Sequence, residues 1–335
     1  MNTTYHDSKS ELICSLFAAF VKSCIIQPFD FLRIRIQTSS SKSIKIYNLI
    51  TGFRKEEGLS VFMKGTTPTF TGSMIASIFH LTFYQRFMFY FKFKFFHEES
   101  ILDTHSLDIF KIKMKKSDEI GETRNFLHDD IYRRFLVGKL SLLAGLAGLF
   151  SGILLSIITT PIDNVRIRLQ SMQNLKSVTN HIQEYVFTSP SECIKTVFRE
   201  KGINGFYIAF PVCMMRESVA SLIYFFSFEY LKNTYKVRHD NREIPLSRMF
   251  IYGGLSGMLS WVFTLPIDCV KTKLISDSLT KKKQFNGIVD CIIKIYTELG
   301  VKGFFSGLSV MLIRAYIVNG AMLSSFEMCR NELMD

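Results

Sequence analysis

Six apolar segments alternate with polar stretches along the chain. Their approximate ranges are 11–37, 67–93, 135–170, 210–233, 248–275 and 307–330. A helix rises about 1.5 Å per residue, so each segment is long enough to cross a hydrocarbon core of about 30 Å. The pattern therefore predicts an all-α membrane protein with six transmembrane helices.

A motif of proline, acid and base recurs three times, near the end of every odd-numbered segment. It reads PFDFLRIRIQ at 28–37, PIDNVRIRLQ at 161–170 and PIDCVKTKLI at 266–275. An element rich in aromatic residues and glycine follows each copy and ends at Gly65, Ala209 and Gly307. Such self-similarity predicts three pseudo-symmetric two-helix repeats with short helices between their spans. We place the repeats at residues 1–96, 131–240 and 241–335.

A polar stretch at 97–130 lies between the second and third segments. It makes the first connection between repeats 39 residues longer than the second. We predict an exposed insertion, and a regulatory role for it is left open.

The composition narrows the class of protein. The chain is 47% hydrophobic and 21% charged, with a formal net charge of +12. A basic chain suits either nucleic acid or an anionic membrane surface, and the apolar segments favour the membrane over nucleic acid. The seven cysteines form no CxxC pair or His/Cys cluster, so we expect neither a disulfide framework nor a metal site. No set of nucleophile and base, metal cluster or phosphate loop predicts catalytic residues, and we expect neither an enzyme nor a cofactor.

The acid and base of each motif are three residues apart and so share one helix face. Ionised groups at membrane depth are costly unless they are paired or hydrated, so these should face a central cavity. We expect each acid to meet the base of the next helix and the proline to kink each helix. The predicted gate consists of Asp30 and Arg33, Asp163 and Arg166, and Asp268 and Lys271.

A second, weaker gate is predicted at the opposite end of the cavity. Twenty residues after each glycine-rich element comes Gln85, Glu229 or Glu327. Lys232 and Arg330 follow the two glutamates at i+3, whereas Met88 follows Gln85. Only one complete pair between helices, Glu229 with Arg330, can therefore form.

Substrate binding is predicted between the gates, thirteen residues before each of these positions, at Gly72, Arg216 and Arg314. Arginine offers a fork for a carboxylate, and the adjacent Glu217 can hold an ammonium group. Neighbours in a helix diverge by about 100°, so we expect Arg216 and Glu217 each to address the ligand. The alternative is that the arginines only balance the cavity acids.

The single tryptophan, Trp261, precedes the third motif proline by five residues. An indole that faces the cavity can stack on a quaternary ammonium group. Simple packing is the alternative. Small residues at four-residue spacing, Gly148 with Gly152 and Gly253 with Gly257, predict close helix approaches in repeats two and three.

These motifs resemble the mitochondrial carrier family over the whole chain outside the insertion. The resemblance implies that the first gate faces the matrix and that Gln37 and Gln170 brace it, while Ile275 takes the third brace position. It also implies cardiolipin at the helix starts near Gly65 and Gly307, and a multi-pass functional monomer in the mitochondrial inner membrane.

Within that family, the Arg216-Glu217 pair looks like the carnitine/acylcarnitine and basic amino acid carriers. This implies an antiporter for an amino-acid-like or carnitine-like zwitterion. Ornithine-type carriers place an acid where this chain has Ala76, which favours the carnitine-like choice. A basic amino acid or S-adenosylmethionine carrier remains an alternative. So does a transport-inactive membrane adaptor that acts through 97–130.

Overall fold

The computed structural model describes residues 13–14, 16–22, 24–26, 66–96, 126–175, 189–239, 244–278 and 284–334, and all regular structure in these ranges is helical. Helix α1 comprises the helical residues within 13–26. The helices that follow are α2 (Thr66–Phe96), α3 (Phe126–Leu175), α4 (Pro190–Lys201), α5 (Phe210–Arg238), α6 (Leu246–Asp277), α7 (Ile288–Leu299), α8 (Val301–Phe304) and α9 (Leu308–Met334). A 3₁₀ turn, Ile203–Tyr207, lies between α4 and α5.

Three stretches in the described ranges are long and apolar enough to cross a membrane: Arg134–Leu169, Leu246–Asp277 and Val301–Phe326. A shorter apolar stretch, Leu16–Ile26, lies in α1. The other two long helices, α2 and α5, have 31 and 29 residues. Both helices are long enough to span a membrane, but they are less apolar than the three stretches above. The buried polar side chains of α5 include Glu217, Ser218 and Ser221.

Helix α3 is longer than the pattern predicts. It begins at Phe126, inside the predicted insertion, and runs for 50 residues. Residues 97–125 lie outside the described residues. The motif prolines Pro161 and Pro266 are both within helices, α3 and α6 respectively.

The connection between α4 and α5 is tied to α3 around Pro161. Proline has no N–H, so the carbonyl of Ile157, four residues earlier, loses its helical donor. The Tyr207 hydroxyl donates to that carbonyl at 3.2 Å. One turn further on, the Asn164 amide donates to the carbonyls of Phe206 at 2.7 Å and Ile208 at 3.2 Å. Helix α3 is thus held around Pro161 by the turn that leads into α5.

The long helices pack in chain order: α2 on α3, α3 on α5, α5 on α6 and α6 on α9. Glycines permit the closest approaches, as the spacing predicts. A Cβ atom at Gly148 or Gly152 would lie 2.6 Å from the carbonyl oxygen of Ser221 or Glu217 on α5. Helices α3 and α5 therefore touch backbone to backbone beside Glu217.

The short helices α4 and α7 have the same local design. Each buries a cysteine on its inner face, Cys193 or Cys291, and ends at a glycine with positive φ, Gly202 or Gly300. Burial raises the pKa of both thiols to about 11, so they remain protonated and pack as small apolar groups. Repeats two and three thus fold alike in this segment.

Ala209 and Gly307 occupy matching positions just before α5 and α9. Both have positive φ, 64° and 82° respectively, which explains the glycine in the repeat. A left-handed conformation costs a residue with a Cβ about 1–2 kcal/mol. Gly65, the third equivalent, lies outside the described residues.

Because glycine adopts positive φ without strain, Ala209→Gly is expected to stabilise the protein by about 0.5–1 kcal/mol after the entropic cost of glycine. The measurement is the thermal midpoint of the detergent-solubilised protein, with Ala209→Val as the opposing control. A lower midpoint for Ala209→Gly than for the wild type would contradict this account.

Candidate functional site

One cavity of about 470 Å³ lies between the long helices. Its lining includes residues from each of α1, α2, α3, α5, α6 and α9. This volume falls within the usual range for small-molecule sites. The polar and charged lining includes Lys22, Ser77, His80, Gln85, Asp163, Arg166, Arg216, Glu217, Ser221, Glu229, Lys232, Lys271, Arg314 and Asn319.

The motif charges meet at one end of this cavity. Lys271 of α6 donates to Asp163 of α3 at 2.5 Å, and Arg166 lies 3.9 Å from the same carboxylate. Lys271 is only 2% exposed. The acid of the second repeat therefore contacts the base of the third, the pairing that threefold repetition predicts. Asp30, Arg33 and Gln37 lie outside the described residues, as does the side chain of Gln170.

Arg216 links this end to the middle of the cavity. Its guanidinium pairs with Glu217 and lies 3.6 Å from the fully buried Asp268. The expectation that Arg216 and Glu217 point apart is wrong, because the long arginine side chain folds back toward its neighbour. Arg216 thus touches both a predicted binding residue and a predicted gate residue.

Trp261 contacts both arginines of the binding level. Its ring centroid is 4.9 Å from the Arg216 guanidinium carbon and 5.1 Å from that of Arg314. The side chain is 8% exposed and packs in an apolar cluster with Leu265 and Met311. The described cations on this indole are therefore two arginines of the protein, and its stacking on an ammonium group of a ligand stays a prediction.

The third predicted binding position, Gly72 of α2, lines the cavity and is buried. A Cβ atom there would lie 2.4 Å from the Ile162 side chain. Gly72 consequently contributes space for helix packing and no polar side-chain group.

Sequence reasoning did not select Lys22, which lies on the wall formed by α1. Its ammonium donates to Ser77 of α2 at 3.2 Å. One turn along α2, His80 hydrogen-bonds to Ser221 of α5 at 2.9 Å. The available signal was that Lys22 is the only charged residue between Glu11 and Asp30.

At the other end of the cavity Glu229 pairs within its own helix. It accepts from Lys232 at 3.2 Å and from Asn233 at 3.3 Å. Gln85 lines the same region from α2. Glu327 and Arg330 lie on α9, but their side chains are outside the described set, so the predicted pair between Glu229 and Arg330 stays a prediction.

Comparison with known proteins agrees with this architecture. The sequence pattern of the mitochondrial carrier protein family matches residues 6–95, 139–239 and 242–335. The chain is 27% identical to the mitochondrial arginine transporter of Arabidopsis thaliana, over 90% of this chain and 83% of the relative. It is 26% identical to the glutamate/glycine mitochondrial carrier of Schizosaccharomyces pombe, over 96% and 93% of the two chains. It is 29% identical to the mitochondrial carnitine/acylcarnitine carrier of Rattus norvegicus, over 54% and 58%.

Members of this family transport solutes and are not enzymes, and the family fold is a six-helix membrane bundle. The matched segments include all three copies of the proline, acid and base motif. The protein therefore belongs to the mitochondrial carrier family and is a membrane transporter of small molecules.

Proposed function

We propose that this protein exchanges an amino-acid-like solute across the mitochondrial inner membrane by alternating access to the central cavity. The observation that carries the proposal is that two guanidiniums, those of Arg216 and Arg314, contact the same indole inside a cavity lined by six helices. A planar guanidinium group binds a carboxylate through two parallel hydrogen bonds, so a solute with a carboxylate fits beside these arginines.

The zwitterionic character of the solute follows from Glu217, which lies beside these arginines. Its carboxylate is already paired with Arg216. A substrate carboxylate that draws Arg216 away would leave Glu217 to bind the substrate's cationic nitrogen. The names of the three relatives mention arginine, glutamate, glycine and carnitine. Each of these solutes combines a carboxylate with a cationic nitrogen.

An amino acid is favoured over carnitine because of Trp261. A quaternary ammonium cannot donate hydrogen bonds and binds well on an aromatic face, and the described cation contacts of this indole are with two arginines. A carnitine-like zwitterion is the second candidate, since a rearranged Arg216 would vacate one of those contacts.

Coupling between binding and gating runs through Arg216. The same guanidinium lies 3.6 Å from Asp268, whose motif also supplies Lys271 of the pair with Asp163. A solute that attracts Arg216 weakens its contact with Asp268 and so lowers the cost of opening this end. Ligands shift a two-state equilibrium only by such differential contacts.

The orientation, the oligomeric state and the bound lipid are also part of the proposal. The gate of Asp163 and Lys271 faces the matrix, and the protein works as a monomer. Cardiolipin phosphates bind at the starts of helices near Gly65 and Gly307, where unpaired backbone N–H groups and the helix dipole favour anions.

The test is exchange in liposomes that contain the purified protein and are preloaded with unlabelled solute. The panel comprises glutamate, glutamine, glycine, arginine, ornithine, carnitine and S-adenosylmethionine. Uptake of a labelled amino acid that depends on internal solute supports the proposal. Absence of exchange for every member of the panel overturns it and favours the adaptor alternative.

A further inference from the structure

The charged residues between the two ends of the cavity do not balance. Asp163, Arg166, Asp268 and Lys271 sum to zero, as do Glu229 and Lys232, and the motif residues Asp30 and Arg33 also cancel. Between these ends, the charged cavity residues within the described part of the chain are Lys22, Arg216, Glu217 and Arg314. Their formal sum is +2, counted without regard to pairing. A cavity with an excess of positive charge at membrane depth favours anions.

Lys22 lies on a different helix from the other three charged residues. It lies on α1, whereas Arg216 and Glu217 lie on α5 and Arg314 on α9. Its described hydrogen-bond partner is the neutral hydroxyl of Ser77. Arg314, Arg216 and Glu217 line the same cavity, so Lys22 shares it with two like charges and one opposite charge.

We propose that Lys22 and Ser77 form a second anion subsite, and that the substrate carries two acidic groups and a net negative charge. One carboxylate binds the arginines beside Trp261, and the second binds the Lys22 ammonium with the Ser77 hydroxyl as a further donor. The inference rests on the proposed function and narrows its substrate class to acidic amino acids.

The net charge of the solute separates acidic amino acids from cationic amino acids and from net-neutral zwitterions. A cationic amino acid raises the excess charge between the gates from +2 to +3, and a net-neutral zwitterion leaves it at +2. An acidic amino acid lowers it to +1. Desolvated like charges are costly, so the acidic amino acid gains most from binding.

Glutamate and glutamine make a matched pair for the test, because they differ in one charge and have nearly the same shape. In proteoliposomes, the wild type is expected to prefer glutamate over glutamine by about tenfold or more in kcat/KM, the effect of one charge-assisted contact. Lys22→Gln should bring that ratio close to one while glutamine exchange persists. Lys22→Arg should retain the preference.

Lys92→Gln is the matched control, because it removes the same charge from an exposed position near the end of α2. It should leave the glutamate-to-glutamine ratio unchanged. The thermal midpoint gives a second readout. Without substrate, Lys22→Gln should be at least as stable as the wild type, since it relieves repulsion by Arg314 and Arg216.

The outcomes separate the two proposals. If the wild type exchanges neutral or cationic solutes and shows no preference for glutamate, the anion subsite is wrong and the solute carrier stands. An undiminished preference for glutamate in Lys22→Gln also overturns the subsite. If no solute is exchanged at all, the proposed function itself fails.

Discussion

Gly152→Ala is expected to destabilise the protein and stop transport, although it adds a single methyl group. The new Cβ would lie 2.6 Å from the Glu217 carbonyl oxygen and 2.8 Å from the Ser218 Cα. Both are backbone atoms of α5, so no side-chain rotation relieves the clash and α3 must move away from α5. Overpacking of this kind costs about 1–3 kcal/mol. The displaced segment of α5 carries Arg216 and Glu217, so solute exchange should be lost as well.

Gly138→Ala supplies the matched control in the same helix. A Cβ there meets nothing within 4 Å. Alanine is a better helix former than glycine by about 0.8–1 kcal/mol, so this variant should be slightly more stable than the wild type. Thermal midpoints of the two variants in detergent should therefore shift in opposite directions. Equal shifts would show that α3 and α5 are not in backbone contact at Gly152.

Removal of the Lys271 charge should have the largest effect on stability. Lys271→Met leaves the carboxylate of Asp163 without its 2.5 Å partner, and its other described ion pair, with Arg166, is longer at 3.9 Å. Breaking a buried ion pair from one side typically costs about 3–5 kcal/mol. Exchange should also be lost, because this end of the cavity no longer closes. The double variant Asp163→Asn/Lys271→Met should recover part of the stability but not the exchange.

The pair of Lys294 and Asp290 on α7 is a surface control for this experiment. Its two side chains are 2.8 Å apart but 39% and 32% exposed. Hydrogen bonds from Lys294 and from the Asn286 backbone lower the pKa of Asp290, so this carboxylate stays ionised at neutral pH. Solvent screens exposed pairs, and Lys294→Met should barely move the thermal midpoint. Equal losses in Lys271→Met and Lys294→Met would refute a special role for the cavity pair.

The repeated features of this protein were predictable from sequence because they follow from spacing. The motif places Asp163 and Lys271 on matching faces of α3 and α6, and their contact follows from repetition. The glycines at 148 and 152 likewise indicate a close helix approach from the sequence alone. Helix positions follow from apolar length, although the start of α3 at Phe126 does not, since polar residues continue the helix beyond the bilayer segment.

Features that depend on side-chain direction were not predictable. The folding back of Arg216 onto Glu217 depends on a rotamer, and the contact of Arg314 with Trp261 depends on how α6 and α9 are rotated. Lys22 belongs to no motif, so only the rotation of α1 shows that it faces the cavity. The link from Asn164 to the carbonyls of 206 and 208 joins residues more than forty positions apart. No local pattern encodes such a contact.

The central claim is that solutes bind in the cavity at the arginines beside Trp261. Thermal stability of the detergent-solubilised protein tests it most directly, because a ligand that binds only the folded state must raise the midpoint. The account predicts that at least one carboxylate-bearing amino acid raises the midpoint of the wild type and leaves that of Arg216→Gln unchanged. An equal rise in both proteins, or no rise in the wild type with any solute of the panel, would contradict it.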